Sequence, residues 1–419
     1  ILTGAVLLAL WTALVGLGAR NGWLRPEPAR AGDTAGFLHW ASAQYARQSK
    51  GNIAIVLLDD GRPTQSFFAS HGRPVDERTL FQVASLSKWL TAWGVMALAE
   101  EGRIDLDAPV SRYLTRWRLP PTQYDNDGVT VRRLLAHTSG LTDGLGFRGF
   151  GPGEALPSLE QELTHTADAM PSADGVVRVG AEPGSGWRYS GGGYLILQLM
   201  IEEVTHEDFD AYMRRTVFGP LGMADSTFEA PDPARLADFF AADGSTAPHY
   251  RFAATGAASL YTSAADLTAF LRAQLPGPQN APAGRGVLAP ETLREMGTPQ
   301  AKLFGLPVWG LGESLYAPTA GGGFVIGHDG QNHPAINTTV RLDPATGNGV
   351  IVLATGSSTL AREIGGEWTF WRTGKVGLDT LLLFDAPRIL LVFGAGVVII
   401  VASVAGATLA GRRRGHQAS

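Results

Sequence analysis

The sequence predicts an α/β (α+β) fold in which one antiparallel sheet is assembled from both ends of the chain around a helical insertion. Three observations predict it. β-Rich runs stand near the start, in "NIAIVLLDDGRPTQSFFAS", and return beyond about Leu303, in "GGFVIGHDG", "AINTTVRLDP" and "NGVIVLA". Between them, from about Ile104 to Phe252, the chain reads as helices and Gly/Pro-rich loops. Both termini are apolar over about the length of a bilayer, which adds terminal transmembrane helices to the prediction.

Residues 1–19, "ILTGAVLLALWTALVGLGA", are uncharged and read either as a signal anchor or as a signal peptide. Either one exports the rest of the chain. Residues 20–36 are rich in Pro, Gly and Arg and read as a linker. "FLHWASAQYARQ" has a helical pattern, and Asp59-Asp60-Gly61 between two β-rich runs marks a hairpin. A helix runs from about Ser85 to Glu101 and stops at Gly102. "TVRRLLAHTSG" is a short helix with Thr130 as N-cap and Gly140 past its end. "GYLILQLMIEEVT" is a longer buried helix, and a last one spans about 357–371. Its Trp368 and Trp371 are assigned to the domain core rather than to a membrane interface.

Residues 37–372 form one domain, 373–388 a juxtamembrane linker, 389–411 a transmembrane helix and 412–419 a tail. "ILLVFGAGVVIIVASVAGATLAG" has no charge on any face, and "RRR" comes directly after it. The arginines predict a cytoplasmic C-terminus. The domain then lies outside the cytoplasm, at the periplasmic or outer face of a bacterial membrane.

Composition excludes several function classes. The 419 residues carry a net charge of −5, which argues against a nucleic-acid partner. The absence of cysteine excludes a disulfide framework, a thiolate zinc site, an Fe–S cluster and a Cys nucleophile. The 45% hydrophobic content allows a sizeable core.

Chemistry concentrates in three places. The first is "FQVASLSKWLTAW", where Ser85 precedes Lys88 by three residues. Chance alone gives about 0.2 Ser-x-x-Lys matches in a chain of this composition, and a capping serine with a solvated lysine fits equally. The context is richer. Positions i and i+3 share a helix face. Lys88 lies among Val83, Leu86, Trp89 and Leu90, and a buried lysine has a lowered pKa and can accept a proton. The second place is "GSGWRYSGGGYLILQ", with Tyr189 in a Gly-rich loop just before a helix. Its phenol is either a proton relay or an ordinary core tyrosine. The third is "VIGHDGQNH", where His328 ends a short strand and either contacts substrate or belongs to a turn.

Together and in this order, these pieces resemble the serine β-lactamase-like family, with its class C β-lactamases, DD-carboxypeptidases, D-aminopeptidases and esterases. "Ser85-Leu86-Ser87-Lys88" is similar to its Ser-x-x-Lys motif, "Tyr189-Ser190-Gly191" to its Tyr-x-Asn motif, and "His328-Asp329-Gly330" to the His-x-Gly form of its Lys-Thr-Gly motif. "LLAHTSGL", "PLGMADSTF" and "SLYTSAADLTAF" match family phrases as well. The resemblance covers roughly residues 37–371. It implies the β-lactamase/DD-peptidase fold, with Ser85 as the nucleophile of an acyl-enzyme. Lys88 and Tyr189 share acid/base work, and the backbone N–H groups of Ser85 and Gln331 form the oxyanion hole. His328, Gly330 and Gly191 contact substrate. No metal or cofactor is implied. The partners implied are a small peptide, amide or ester, with the lipid bilayer meeting the terminal helices. Gly191 departs from the family's Asn, which counts against efficient β-lactam hydrolysis and favours ester or small-peptide substrates. It also favours the alternative of a weakly active or inactive binding or sensor protein of the same fold.

Rival motifs are weaker. "Lys375-Val376-Gly377" comes after the last domain helix and lies next to the membrane segment. "GLGFRG" at 144–149 lacks the strand and helix of a dinucleotide site and reads as a flexible loop. The sequence has no G-x-S-x-G elbow and no H-E-x-x-H, and His328 with His333 lacks further ligands at zinc spacing.

Overall fold

The computed structural model describes residues 2–417 apart from 145, 171, 172 and 334. Residue 1 of the N-terminal apolar segment, Leu145 of "GLGFRG" and residues 418–419 of the tail lie outside the described residues.

The described residues form ten strands, numbered in chain order: β1 (Ile53–Asp59), β2 (Arg62–Ala69), β3 (Phe81–Gln82), β4 (Tyr261–Thr262), β5 (Ala301–Leu303), β6 (Leu306–Trp309), β7 (Ser314–Pro318), β8 (Phe324–Asn332), β9 (Ile336–Asp343) and β10 (Asn348–Ala354). Eight of them form one antiparallel sheet in the order β2-β1-β10-β9-β8-β7-β6-β5. β1 pairs with β10 from Ile53↔Ala354 to Leu58↔Gly349, so the sheet joins the two ends of the domain as expected. β1 and β2 turn at Asp60 and Gly61, whose φ values of 49° and 67° give the left-handed pair a tight hairpin needs.

Both faces of the sheet are covered, which explains why its central strands read as continuous apolar runs. Ile53, Ile55, Leu57, Val350 and Val352 face the helices Thr34–Gln48 and Leu360–Thr373, packing with Phe37, Trp368 and Trp371. Both tryptophans are thus core residues, as expected. The alternate residues Ala54, Val56, Leu58, Ile351 and Leu353 face the helical insertion. The centre of that insertion is the helix Ser87–Glu100, every residue of which is buried from Ser87 to Leu98.

The short helix Val131–Leu135 takes its N-cap from Thr130 as predicted, and Gly140 past its end is left-handed at φ 79°, as is His137 at φ 55°. Two local expectations are corrected. β8 does not end at His328; it pairs with β9 as far as Asn332↔Ile336, so the Asp-Gly pair lies inside a strand. The pairing with β9 overrides the local turn signal. Residues 373–388, expected to form a linker, are helical from Leu378 onward. Leu378–Ala410 is long and apolar enough to cross a bilayer. The helix Leu2–Arg20 runs antiparallel beside it: Gly4 lies against Val404, and the Trp11 indole donates to the Phe393 carbonyl at 3.0 Å.

Candidate active site

The site is built where β8 crosses the N-terminal end of the helix Ser87–Glu100. A 3-10 turn, Ala84–Leu86, leads into that helix. Ala84 takes φ 47°, a left-handed conformation that costs a non-glycine residue free energy and persists only where its surroundings enforce it. They do. Val83 N–H bonds the Leu260 carbonyl, the Ser87 hydroxyl donates to the Ala84 carbonyl at 2.6 Å, and Leu260 N–H donates back to Ser87 Oγ. On the other side Thr338 Oγ1 donates to the Val83 carbonyl. Gly330 permits this approach: a Cβ there would lie 1.9 Å from the Val83 oxygen and 2.4 Å from Thr338 Oγ1.

This turn presents Ser85, half-buried, to Lys88, which is 1% exposed. Lys88 Nζ lies 3.1 Å from Ser85 Oγ and donates to the Ala257 carbonyl at 2.9 Å. Burial brings its pKa down to about 7, against an opposing pull from the Asp143 carboxylate. A large share of the lysine is therefore neutral near pH 7, when its lone pair can accept the serine proton. The capping explanation fails, since the Ser85 hydroxyl makes no cap bond at this helix.

Tyr189 stands across from the pair. Its hydroxyl faces Ser85, and its ring centroid is 5.2 Å from Lys88 Nζ. Burial pushes the phenol well above its ordinary value, so it is protonated at neutral pH. Two residues to which the sequence assigns no role hold it there. His137 packs tilted against Tyr189 at 4.4 Å between centroids, accepts Ser190 N–H on Nδ1 at 3.1 Å, and takes Arg188 N–H on its carbonyl. Asp143 accepts from Ser190 Oγ at 2.7 Å and from Gly192 N–H at 3.0 Å. "LLAHTSGL" contains the signal for His137 as a family phrase, but only the structure shows what the imidazole touches. Gly191 is the first residue of the helix Gly191–Thr205, buried and without a side chain to offer.

His328 and Gly330 lie on β8 where its other neighbour has ended. β7 pairs with β8 only up to Ser314↔Gly327, so 328–332 have no strand partner on that side among the described residues. An extended substrate could add its backbone there. The His328 side chain is buried; Nδ1 meets the Asp329 carbonyl at 2.6 Å and the ring packs edge-on against Trp309. Burial, then the nearby Lys88 charge, lowers its pKa to about 4, so it is neutral at pH 7.

Ser85, Tyr189 and Gln331 all line two cavities. One, of about 420 Å³, runs past Trp309 and His328; the other, of about 380 Å³, runs past Phe147 and His333. Phe147 is buried, so the "GLGFRG" segment is part of the wall. Lys375, Val376 and Gly377 line neither cavity, and Val376 N–H bonds the Arg20 carbonyl. Among the described residues no group of three His, Asp or Glu side chains is placed to hold a metal.

A serine on a strained turn, a buried lysine within reach and a protonated phenol opposite define the class: a site suited to acyl transfer through a serine nucleophile. Family comparison agrees. The Beta-lactamase family profile matches residues 39–368, and the chain belongs to that family. It is 34% identical over 172 residues to Esterase EstB of Burkholderia gladioli, a match covering 40% of this chain and 43% of that one, less than half the esterase's length. The octameric penicillin-binding protein homologue from Pyrococcus abyssi shares the fold at TM-score 0.63 and 23% identity, covering 79% of this chain and 75% of that one. The D-amino acid amidase from Ochrobactrum anthropi SV3 does so at 0.61 and 22%, covering 78% and 95%.

Proposed function

We propose that the protein is a membrane-anchored serine hydrolase that cleaves an ester or amide through an acyl-enzyme at Ser85. The observation that carries this is the 3.1 Å contact between Ser85 Oγ and a fully buried Lys88. Neutral Lys88 takes the Ser85 proton as Oγ attacks the carbonyl. The N–H groups of Ser85 and Gln331 receive the developing oxyanion. Tyr189 gives its proton to the leaving group and regains one from Lys88. Water then repeats the sequence in reverse roles and frees the acid. His328 and Gly330 align substrate along the open edge of β8. The esterase likeness and the missing side chain at Gly191 favour esters and small amides over β-lactams.

Fluorophosphonate labelling tests the reading. Native protein should label and the Ser85→Ala variant should not. Absence of Ser85-dependent labelling, together with no turnover of an activated ester, would leave the binding-protein alternative that Gly191 favours.

The segment Leu378–Ala410 supports the anchoring part of the proposal, and the basic run at 412–414 supports a cytoplasmic C-terminus with the domain outside. A C-terminal tag on intact cells should resist external protease; digestion of the tag would reverse the topology.

A further inference from the structure

The larger cavity does not stop at the catalytic residues. From Ser85 it passes Trp187, Trp309 and Leu315, and its far wall is Leu378, Leu382 and Leu383. Those three leucines belong to the first turns of the long apolar helix, where Leu381–Asp385 forms a wide π-type turn. Leu382 and Leu383 are 50% and 48% exposed, so each reaches the cavity while also lying open at its mouth. The cavity that joins Ser85 to the base of the helix is thus walled mainly by apolar side chains, with Asp329, Arg362 and Asp379 also on its lining.

The height of that mouth is set by charge. Arg25 pairs with Glu367 at 2.5 Å and lies 3.6 Å from Asp385, and the Arg388 guanidinium donates to the Leu24 carbonyl. Arg388 is the last charged residue before the uncharged run at 389–411. From Leu383 to Ile389 is six residues, about 9 Å along a helix. The polar zone of each leaflet adds roughly 5–8 Å to the hydrocarbon core. With the helix spanning a bilayer, the mouth opens at about the outer edge of the headgroup zone, and an aliphatic chain reaching from lipid to Ser85 crosses only a short polar stretch before it is covered again.

We infer that the substrate is an ester or amide bearing an aliphatic chain, drawn from the bilayer through the mouth at Leu382 and Leu383. This rests on the Ser85 hydrolase reading and names its substrate class.

The test uses the full chain reconstituted in phosphatidylcholine vesicles. Two ester series are compared at two and eight carbons: p-nitrophenyl acyl esters, and alkyl acetates. In at least one series kcat/KM should rise about tenfold or more with the longer chain. Partitioning into the vesicle also favours long chains, so the deciding comparison is with Leu382→Asn/Leu383→Asn in the same vesicles. That pair should cut the eight-to-two-carbon ratio about tenfold. Leu303→Asn, in β5 and on the same cavity, should lower the ratio without touching the helix. A flat ratio in both series, or a ratio unchanged in both variants, overturns the inference while Ser85-dependent acetate turnover keeps the hydrolase reading. Loss of all Ser85-dependent turnover in the native protein, judged against Ser85→Ala, overturns both.

Discussion

Lys88 Nζ stands 3.1 Å from Ser85 Oγ, with the lysine inside the core and the serine at the junction of two cavities. The arrangement depends on the strained turn at Ala84, because a regular helix starting earlier would bury Ser85 as well. Lys88 is excluded from water on every side, and it donates to Ser85 Oγ and the Ala257 carbonyl.

The first prediction is the pH profile. Proton abstraction needs neutral Lys88, whose pKa is brought down to about 7. kcat/KM should therefore rise with pH, with a midpoint near 7, and level off above it. His328 should add no inflection at that midpoint, since burial puts its own titration at about 4. Lys88→Arg, always charged, should lower kcat/KM by about 10²–10⁴-fold. A flat profile between pH 5.5 and 8.5 would remove Lys88 from the role of base.

Tyr189 makes a different prediction. Burial keeps its phenol protonated across the physiological range, which under the proposed mechanism makes it a donor rather than a base. Tyr189→Phe removes the hydroxyl and keeps the ring that packs against His137. kcat should fall on the order of 10²-fold with KM changed little. The loss should be smaller for esters with a good leaving group, such as p-nitrophenol, which needs no proton. Equal losses for good and poor leaving groups would argue against proton donation.

Much of this fold is legible in residue order. The β-rich runs at both ends and the helical middle are visible because central strands covered on both faces become unbroken apolar segments. Ser85, Lys88, Tyr189 and His328 emerge through spacing and resemblance. The part that cannot be read is long-range. His137 acts on Tyr189 from 52 positions away, and Asp143 reaches Ser190 through a loop with no periodicity. The length of β8 escapes a local reading because Asp329-Gly330 is a turn signal that only pairing with Ile336 to Val340 overrides. The cavity wall at Leu382 comes from a segment whose composition suggests a linker.

Gly330 gives a packing prediction. Its missing side chain lets β8 lie against the Val83 carbonyl, two residues before Ser85. Gly330→Ala puts a methyl group into backbone that cannot yield cheaply. It should destabilise the domain by about 1–3 kcal/mol. It should also lower kcat more than this loss explains, since Gln331 N–H and Ser85 move apart. Thermal unfolding and fluorophosphonate labelling rate together check it. A variant with native stability and labelling would show that the two segments are not tightly registered.

Glu313 carries the last prediction, on stability. It precedes β7, is 1% exposed, and accepts from the Trp89 indole at 2.7 Å, next to Lys88 in the chain. Burial raises its pKa from 4.5 to about 8, against the opposing effect of the Trp89 bond. The folded chain thus holds this proton up to about pH 8, whereas the unfolded chain releases it near 4.5. Between those values the native state binds more protons, so this group's contribution to stability falls as pH rises. Glu313→Gln keeps an oxygen for Trp89 and cannot ionise. The variant should gain on the native protein as pH goes from 5 to 8, by about 2–4 kcal/mol across the window. Taking the difference cancels the opposite slopes that buried His328 and Lys88 give to both proteins. Unfolding midpoints at pH 5, 6.5 and 8 measure it, and parallel curves would mean that Glu313 is already ionised in the fold at neutral pH.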